Sequence, residues 1–590
     1  MEKWFLHTKR ADFNEISKKH HIHPVIARII RNRDVEGDEA IHRYLEGSLE
    51  DLYDPMLLKD MEKAVEILLN KINDHKKIRI IGDYDIDGVC STYILFKALL
   101  RCGAQVDYEI PDRIQDGYGI NQRIIQSAYE AGVDTLLTCD NGISAISQVQ
   151  YAKELGLTVI VTDHHDVPAN ENGEILVPAD AVINPKQSGC TYPLKGICGA
   201  VVAYKLVEAL FMIQGLPKSN VYPFLEFAAI ATIGDVMDLQ DENRIIVKYG
   251  LSLVRKTKNN GLKALILANE LNLNQVKTYH IGFIIGPCLN AGGRLDTAKR
   301  ALELLLEENE NKAAALARDL KSLNDKRKVM TQEGVEAALT YLEINHLEND
   351  KVLVIYLTDC HESLAGIIAG RIRERFEKPA LVLTKGEEGV KGSGRSIEAY
   401  HMYRELSKCS DILHKFGGHP MAAGFSLDEK NIAKLRRRLN ENAVLTEADF
   451  IKKIWIDVAL PLEYLNEELI HELELIEPFG NGNSKPVFAQ KEIGIRRCLV
   501  FGKNKNVIKL VLVSDRGFSI DGILFKDSGE FFSELGEKYG YDMEKKLISG
   551  SANEVKMNII YHPAVNEYNG KRMLQVVIDN YMLSKSDSGG

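Results

Sequence analysis

From residue 11 to about 75, apolar residues recur every three or four positions. The spacing is clearest in DEAIHRYLEGSLEDLYDP and LLKDMEKAVEILLNKINDH, and it predicts helices. From Lys77 the pattern changes. IRIIG, VDYEI, DTLLTC and LTVIVT are short β-branched runs. Between them lie helix-like segments: STYILFKALLRCG, a stretch near Gln122–Glu130, and ISAISQVQYAKELG. Apolar strands alternating with helices predict a parallel sheet covered on both faces. Residues 199–275 read as mostly helical, and a break is expected near Gly292–Gly293. Residues 297–345 are charged and helical but too long for one ordinary helix. Two helices are expected there, either a connector between lobes or a pair within one lobe. KVLVIYL, LAGIIAGRIRERFEK and PALVLTK begin a second α/β unit. From about Ile454, WIDVAL, PVFA, EIGIRRCLV, VIKLVLVS, FSIDGILF, MNIIYHPAV and MLQVVIDNYML predict the short strands of a small barrel. The tail SKSDSGG is expected to be disordered.

These segments give an expected domain plan. It runs as a helical region (1–75), an α/β domain (76–290), a helical connector (291–345), a second α/β domain (346–445) and a barrel (450–582). A chain of 590 residues suits such a plan, and 45% hydrophobic with 27% charged residues marks an ordinary folded protein. The net charge of −10 excludes nucleic-acid binding through overall positive charge, but not a local basic groove. The nine cysteines form no CxxC pair, which argues against zinc ribbons and fits a reducing cytoplasm. The start MEKWFLHTKRADFNEISKK has no apolar core, so no signal peptide is expected. No apolar run approaches the ~20 residues of a spanning helix. A cytoplasmic protein without a membrane segment is expected.

The chemistry concentrates in four places. GDYDIDG places Asp83, Asp85 and Asp87 directly after the strand IRIIG. In an extended segment, period two would point all three to one side. Clustered carboxylates raise one another's pKa unless a cation is present. An EF-hand would need Glu at the twelfth position, which is Ile94, and a helix rather than a strand before the loop. LLTCDNG sets Asp140, and TVIVTDHHD sets Asp163, His164 and His165, at the ends of other strands. Asp235 follows the helix-like FAAIATIG. One aspartate after a strand is most often a helix cap. In open parallel sheets, however, ligands bind beyond the C-terminal strand ends, where these groups would converge. Oxygen-rich donors with one or two imidazoles favour Mn2+ or Mg2+. Two such ions about 3.5–4 Å apart would suit hydrolysis of a phosphodiester or pyrophosphate.

With these motifs in view, the chain resembles the DHH phosphoesterase superfamily, named for its Asp163–His164–His165 triplet. Within it, the chain looks like the bacterial RecJ family of single-strand-specific exonucleases, from about Leu52 to about Asp579. DPMLLKDMEKAV, PDRIQDGYGI (111–120), GICGAVVAYKL, IGPCLNAGGRLDTA, GSGRSI, FGGHPMAAGF and PFGNGNSKPVF carry the likeness. The resemblance implies an α/β fold: a parallel-sheet DHH domain, a smaller DHHA1-type α/β domain, a helical connector and a C-terminal OB-like barrel. It implies Asp83, Asp85, Asp140, His164 and Asp235 as ligands of two Mn2+ or Mg2+ ions. Asp87 and Asp163 would be ligands or supports of ligands. His165 would contact the scissile phosphate or orient water, making His165 and Asp163 the candidate catalytic pair. The implied activity is stepwise 5′→3′ degradation of single-stranded DNA in repair and recombination. The implied protein partners are a single-strand-binding protein and a RecQ-type helicase.

Other candidates would grip the substrate. Gly417 and Gly418 allow close backbone approach, and His419 can donate to phosphate. Ser393, Arg395 and Ser396 offer phosphate donors, and Arg113, Arg294, His361 and Arg371 join them. Arg371 reads nearly as well as a solvated helix position. In the barrel, Arg496, Arg497, Lys503, Lys505 and Lys509 form a basic strip. Phe479 and Phe501 are either core residues or base-stacking platforms. Two departures stand out. CHESLAG (360–366) replaces the Trp-His-x-Gly-Val-x-Gly usual in the family, so Cys360 and Ser363 are atypical while His361 and Gly366 remain. GKNKNVIKL lacks the usual His-Leu. The rival readings are a hydrolase of short oligonucleotides or cyclic dinucleotides, which would lack the barrel, and an inactive repair scaffold, against which the intact aspartates speak.

Overall fold

The computed structural model describes residues 2–113, 119–171, 173–386, 389–568 and 571–584. The middle of PDRIQDGYGI (114–118) and most of the SKSDSGG tail lie outside them. The chain divides into two compact units, Leu49–Lys452 and Glu2–Ser48 with Lys453 onward.

The first unit begins with the expected parallel sheet. Its strand order is Gln105–Glu109, Lys77–Ile81, Thr135–Cys139, Thr158–Thr162 and Ala181–Ile183. The central strands are apolar throughout because both faces are covered: Ile78, Ile80, Leu136, Leu137, Val159 and Ile160 are all buried. Helix Ile86–Arg101 packs against the sheet and against helices Gly199–Ile213 and Leu225–Gly234. These two helices are apolar almost all round, as fully enclosed helices must be. The register aligns the strand ends, pairing Ile81 with Thr138, Cys139 with Thr162, and Thr162 with Ile183. The residues that follow these strands therefore emerge at one edge.

The expected break near Gly292–Gly293 is absent, since helix Gly286–Leu295 runs through both. These glycines serve packing. A Cβ on Gly293 would lie 2.3 Å from the Tyr84 carbonyl oxygen. The long charged stretch does form two helices, Lys299–Leu306 and Glu310–Ile344, divided where Asn309 caps the second. The second lobe of this unit is a five-stranded sheet. It is ordered Leu413–His419, Ala422–Leu427, Gly389–Arg395, Ala380–Gly386 and Leu353–Tyr356, and only the last pair is parallel.

The second unit holds the barrel. Strands Phe488–Phe501, Val507–Val513, Ser519–Phe525, Lys571–Leu583 and Lys556–Tyr568 pair in that order, and the last closes onto the first. Helices Ser528–Tyr539 and Met543–Ser549 are inserted between strands. Residues 2–48 share this unit's core, so the stretch 1–75 is not one helical region. The physical reason is a buried, bidentate ion pair. Arg33 Nη1 and Nη2 lie 2.6 and 3.1 Å from the two Asp457 oxygens. Around it Ile26, Ile29 and Ile30 join one apolar cluster with Phe488 and Leu512.

Candidate metal centre and the adjoining cationic cavity

Each acidic residue is placed by the element it follows. The amide of Asp140 extends the ladder to the Thr162 carbonyl (3.1 Å), and that of Asp163 to the Ile183 carbonyl (3.0 Å). Asp140 adopts φ 61°, a left-handed conformation that aspartate tolerates. Gly199 makes room for it, because a Cβ there would lie 2.7 Å from the Asp140 Cβ.

The first motif differs from the extended run expected of it. Asp85 caps helix Ile86–Arg101, its Oδ1 accepting from the amides of Asp87 (3.0 Å) and Gly88 (3.1 Å). Only Asp83 stays in the loop, while Asp87 sits in the first helical turn. The capping carboxylate starts the helix early, so three side chains cannot keep one period-two face. Asp87 is buried, and its oxygens accept from the amides of Gly199 (2.6 Å) and Ala200 (2.7 Å).

The side chains nevertheless converge. His164 Nε2 lies 3.1 Å from Asp140 Oδ1, 3.6 Å from Asp87 Oδ2 and 3.7 Å from Asp235 Oδ2. Three sets of potential ligand atoms each fit within 4.8 Å: Asp83, Asp85 and Asp140; Asp140, His164 and His165; Asp87, His164 and Asp235. Asp140 and His164 are each shared by two sets. Burial, then the neighbouring carboxylates, pushes Asp83 and Asp140 well above the usual carboxylate range, and Asp235 up to about 8. Among the described residues, Asp83 Oδ1 and Asp235 Oδ2 are buried without a hydrogen-bond partner. Burial lowers His164, keeping its imidazole neutral and ready to ligate. Orphaned oxygens, mutually repelling carboxylates and a neutral imidazole fit a divalent, oxygen-preferring cation.

Asp163 faces the protein. Its Oδ2 accepts from the Ile143 amide (2.9 Å). Its Oδ1 accepts from the amides of His164 (2.7 Å) and His165 (3.1 Å) and contacts His165 Nδ1 (2.7 Å). Burial would lower His165, but the Asp163 bond and charge outweigh it and raise the ring to about 9.

Next to this cluster, still within the first unit, lies a cavity of ≈ 480 Å³ lined by Tyr84, Arg113, Arg294, Ser393, Arg395 and Gly417, among others. Tyr84, between Asp83 and Asp85, lies under the Arg113 guanidinium, which is 4.9 Å from its ring. Burial, then Arg113 and Arg327, lowers Arg294 to about 10. Gly366 is needed here, because a Cβ would lie 2.7 Å from Arg395 Nη2 and 2.8 Å from Ser393 Oγ.

The cavity thus gathers Arg113, Arg294, Ser393, Arg395 and Gly417, but not every candidate. Ser396 is buried and its hydroxyl donates to the Tyr400 carbonyl within a turn. Arg371 is 67% exposed on its helix face. His361 Nδ1 contacts Ser363 Oγ. Gly418 takes a φ of 149° in the strand Leu413–His419, next to His419. The sequence reading missed Tyr84, Ser363, Lys391 and Lys415 as lining residues. Lys391, Ser393 and Arg395 alternate along one strand, and that period was the available signal. In the barrel, Phe479 packs against the core. Phe501 is 49% exposed and lies in one cross-strand row with Val507 and Phe525. Lys509 is ion-paired with Asp521 at 2.7 Å.

A parallel-sheet acidic centre, a second α/β lobe with a cationic cavity and a small barrel define a DHH-type phosphoesterase. The model of the DHH family N-terminal domain matches residues 77–233, that of the DHHA1 domain 349–444, and that of the RecJ OB domain 456–580. The single-stranded-DNA-specific exonuclease RecJ of Bacillus subtilis is 35% identical over 97% of this chain and 69% of its own length. That of Haemophilus influenzae is 33% identical over 94% of this chain and 96% of its own. The crystal structure of Thermus thermophilus RecJ in complex with Mn2+ superposes with a TM-score of 0.81 at 26% identity, covering 100% of this chain and 80% of that one. The same protein with Mg2+ gives 0.75 at 25% identity, covering 99% and 79%. The chain belongs to the RecJ family of single-stranded-DNA-specific exonucleases.

Proposed function

We propose that this protein removes nucleotides stepwise from the 5′ end of single-stranded DNA in repair and recombination, using two Mn2+ or Mg2+ ions. The observation that carries the reading is the contiguity of the two clusters. Tyr84 lines the arginine cavity while its neighbours Asp83 and Asp85 belong to the cation-binding set. Asp83, Asp85 and Asp140 would hold one ion, and Asp140, His164 and Asp235 the other, with Asp87 supporting the helix end behind them. Bound divalent ions would lower the pKa of water and neutralise phosphate charge. The protein's own groups do the rest. Arg113, Arg294 and Arg395 grip the terminal phosphate, with Ser393 as a further donor. Asp163 holds the Nδ1 proton of His165, which leaves Nε2 to donate to a phosphate oxygen. The barrel's exposed Phe501 and its basic strip would hold the incoming strand. A cytoplasmic location, with a single-strand-binding protein and a RecQ-type helicase as partners, belongs to the same reading.

The test is digestion of a long 5′-phosphorylated, 3′-labelled single strand with Mn2+, comparing wild type with Asp140→Ala and with labelled duplex. Progressively shorter labelled products, lost in the variant and absent on duplex, are expected. Early release of short labelled 3′ fragments would reverse the polarity.

A further inference from the structure

Among the described residues, the bonds that tie the second lobe to the first beside the cavity centre on Ser363, in the short 3-10 turn Glu362–Leu364. Ser363 Oγ donates to the Arg294 main-chain carbonyl at 2.9 Å, and Arg294 Nη1 donates to the Ser363 carbonyl at 3.0 Å. The exchange is reciprocal and 95% enclosed, since Ser363 is only 5% exposed. A third group joins it: His361 Nδ1 stands 2.8 Å from the same hydroxyl. A hydroxyl has one hydrogen, and the Arg294 carbonyl can only accept it. His361 Nδ1 also accepts from the Ser363 amide at 3.4 Å, capping the turn. One hydroxyl thus reaches a carbonyl of the first lobe and a histidine ring of the second. Arg294 is an awkward side chain to hold. It is half-buried beside Arg113 and Arg395, and among the described residues it donates to the Ser363 carbonyl. Without a fixed partner, repulsion would turn it away from its neighbours.

We propose that Ser363 is a positioning residue, an interlobe latch that holds the Arg294 guanidinium toward the cavity and so sets how tightly the enzyme grips a terminal phosphate. Serine is particular here, because the glycine usual at this position in the resembling family has no hydroxyl to bridge the lobes. The latch rests on the terminal-phosphate reading of the cavity given above.

The test measures kcat and KM with Mn2+ on 3′-labelled single strands bearing either a 5′-phosphate or a 5′-hydroxyl. Wild type, Ser363→Ala and Ser363→Thr are compared, with melting temperatures alongside. Ser363→Ala removes one bond of the pair and leaves the backbone bond. It should raise KM on the phosphorylated strand by about 5- to 10-fold, the effect of one buried hydrogen bond. kcat should stay within about twofold, and preference for the phosphorylated end should fall by the same factor as KM rises. Ser363→Thr keeps the hydroxyl and should lie nearer wild type. Unchanged KM and preference in Ser363→Ala would overturn the latch, and so would a loss confined to kcat. A wild type indifferent to the end group would overturn the terminal-phosphate reading, and the latch with it.

Discussion

Two enclosed clusters of like charge, the first largely buried and the second half-buried, adjoin each other in the first unit, opposite in sign. One gathers Asp83, Asp85, Asp87, Asp140 and Asp235 around His164; the other gathers Arg113, Arg294 and Arg395. They sense each other, since Arg113 lowers Asp83 and Asp85 raises Arg294. They meet the cost of burial differently. The carboxylates can take up protons, and their raised pKa values express this. The arginines stay charged at neutral pH. They lean on neutral oxygens instead: Arg294 on the Ser363 carbonyl, and Arg395 on the Gly394 carbonyl (2.8 Å) and Ser393 Oγ (3.2 Å). A cation suits the first cluster and a phosphate the second. The lesson is that each site leaves to its ligand the charge it lacks.

The comparison can be broken from the acidic side first. Asp140 belongs to two of the three ligand sets. Asp140→Asn should cut Mn2+-dependent cleavage by about 10³-fold, the loss of several kcal/mol of charge stabilisation. The same variant should raise the melting temperature of metal-free protein, because a neutral amide avoids the burial cost that raises Asp140. It should also abolish the thermal shift that Mn2+ gives wild type. A variant that still binds Mn2+ and cleaves normally would remove Asp140 from the centre. On the cationic side, Arg395→Ala should lower kcat/KM by roughly 10²-fold, mainly through KM. It should also reduce the slope of log(kcat/KM) against log salt by about 0.7, one phosphate contact on a single strand. An unchanged salt slope would show that Arg395 touches no phosphate. Asp163→Asn should sharpen the distinction between ligands and their supports. Cleavage should fall about 10- to 100-fold while Mn2+ affinity changes less, as expected of a group that orients His165. Loss of metal binding instead would make Asp163 a ligand.

The smallest effect concerns a carboxylate that neither cluster uses. Burial raises Glu226 to about 7, against an opposing hydrogen bond from Thr257. Its folded-state pKa exceeds its unfolded one, so its stabilising contribution is full below about pH 4.5 and is lost as pH rises to about 7. Glu226→Gln should therefore raise the melting temperature at pH 8 and leave it nearly unchanged at pH 5. Equal shifts at both pH values would contradict this assignment.

Much of the acidic cluster was legible because all its members but Asp235, which follows a helix, come after strands in short motifs, and parallel strands end at one edge. What misled was local. Asp85 reads as one step of an alternating run, but its capping of a helix turns Asp87 into the protein. Gly292 and Gly293 read as a break, yet Gly293 lets the helix approach Tyr84 and Gly292 lets it approach the Thr297 carbonyl. The cationic cavity was less legible, because its three arginines come from three distant segments. Ser396, the residue after Arg395, turns inward to close a loop. The pairing of Arg33 with Asp457 spans more than 400 residues, and no local pattern announces it.

The most direct measurement is diffraction at the manganese edge from crystals of the full chain grown with Mn2+. Two anomalous peaks about 3.5–4 Å apart are predicted. Asp140 should contact both, with Asp83 and Asp85 on one side and His164 and Asp235 on the other. The absence of a peak at this cluster, or a peak whose ligands exclude Asp140 and His164, would contradict the account.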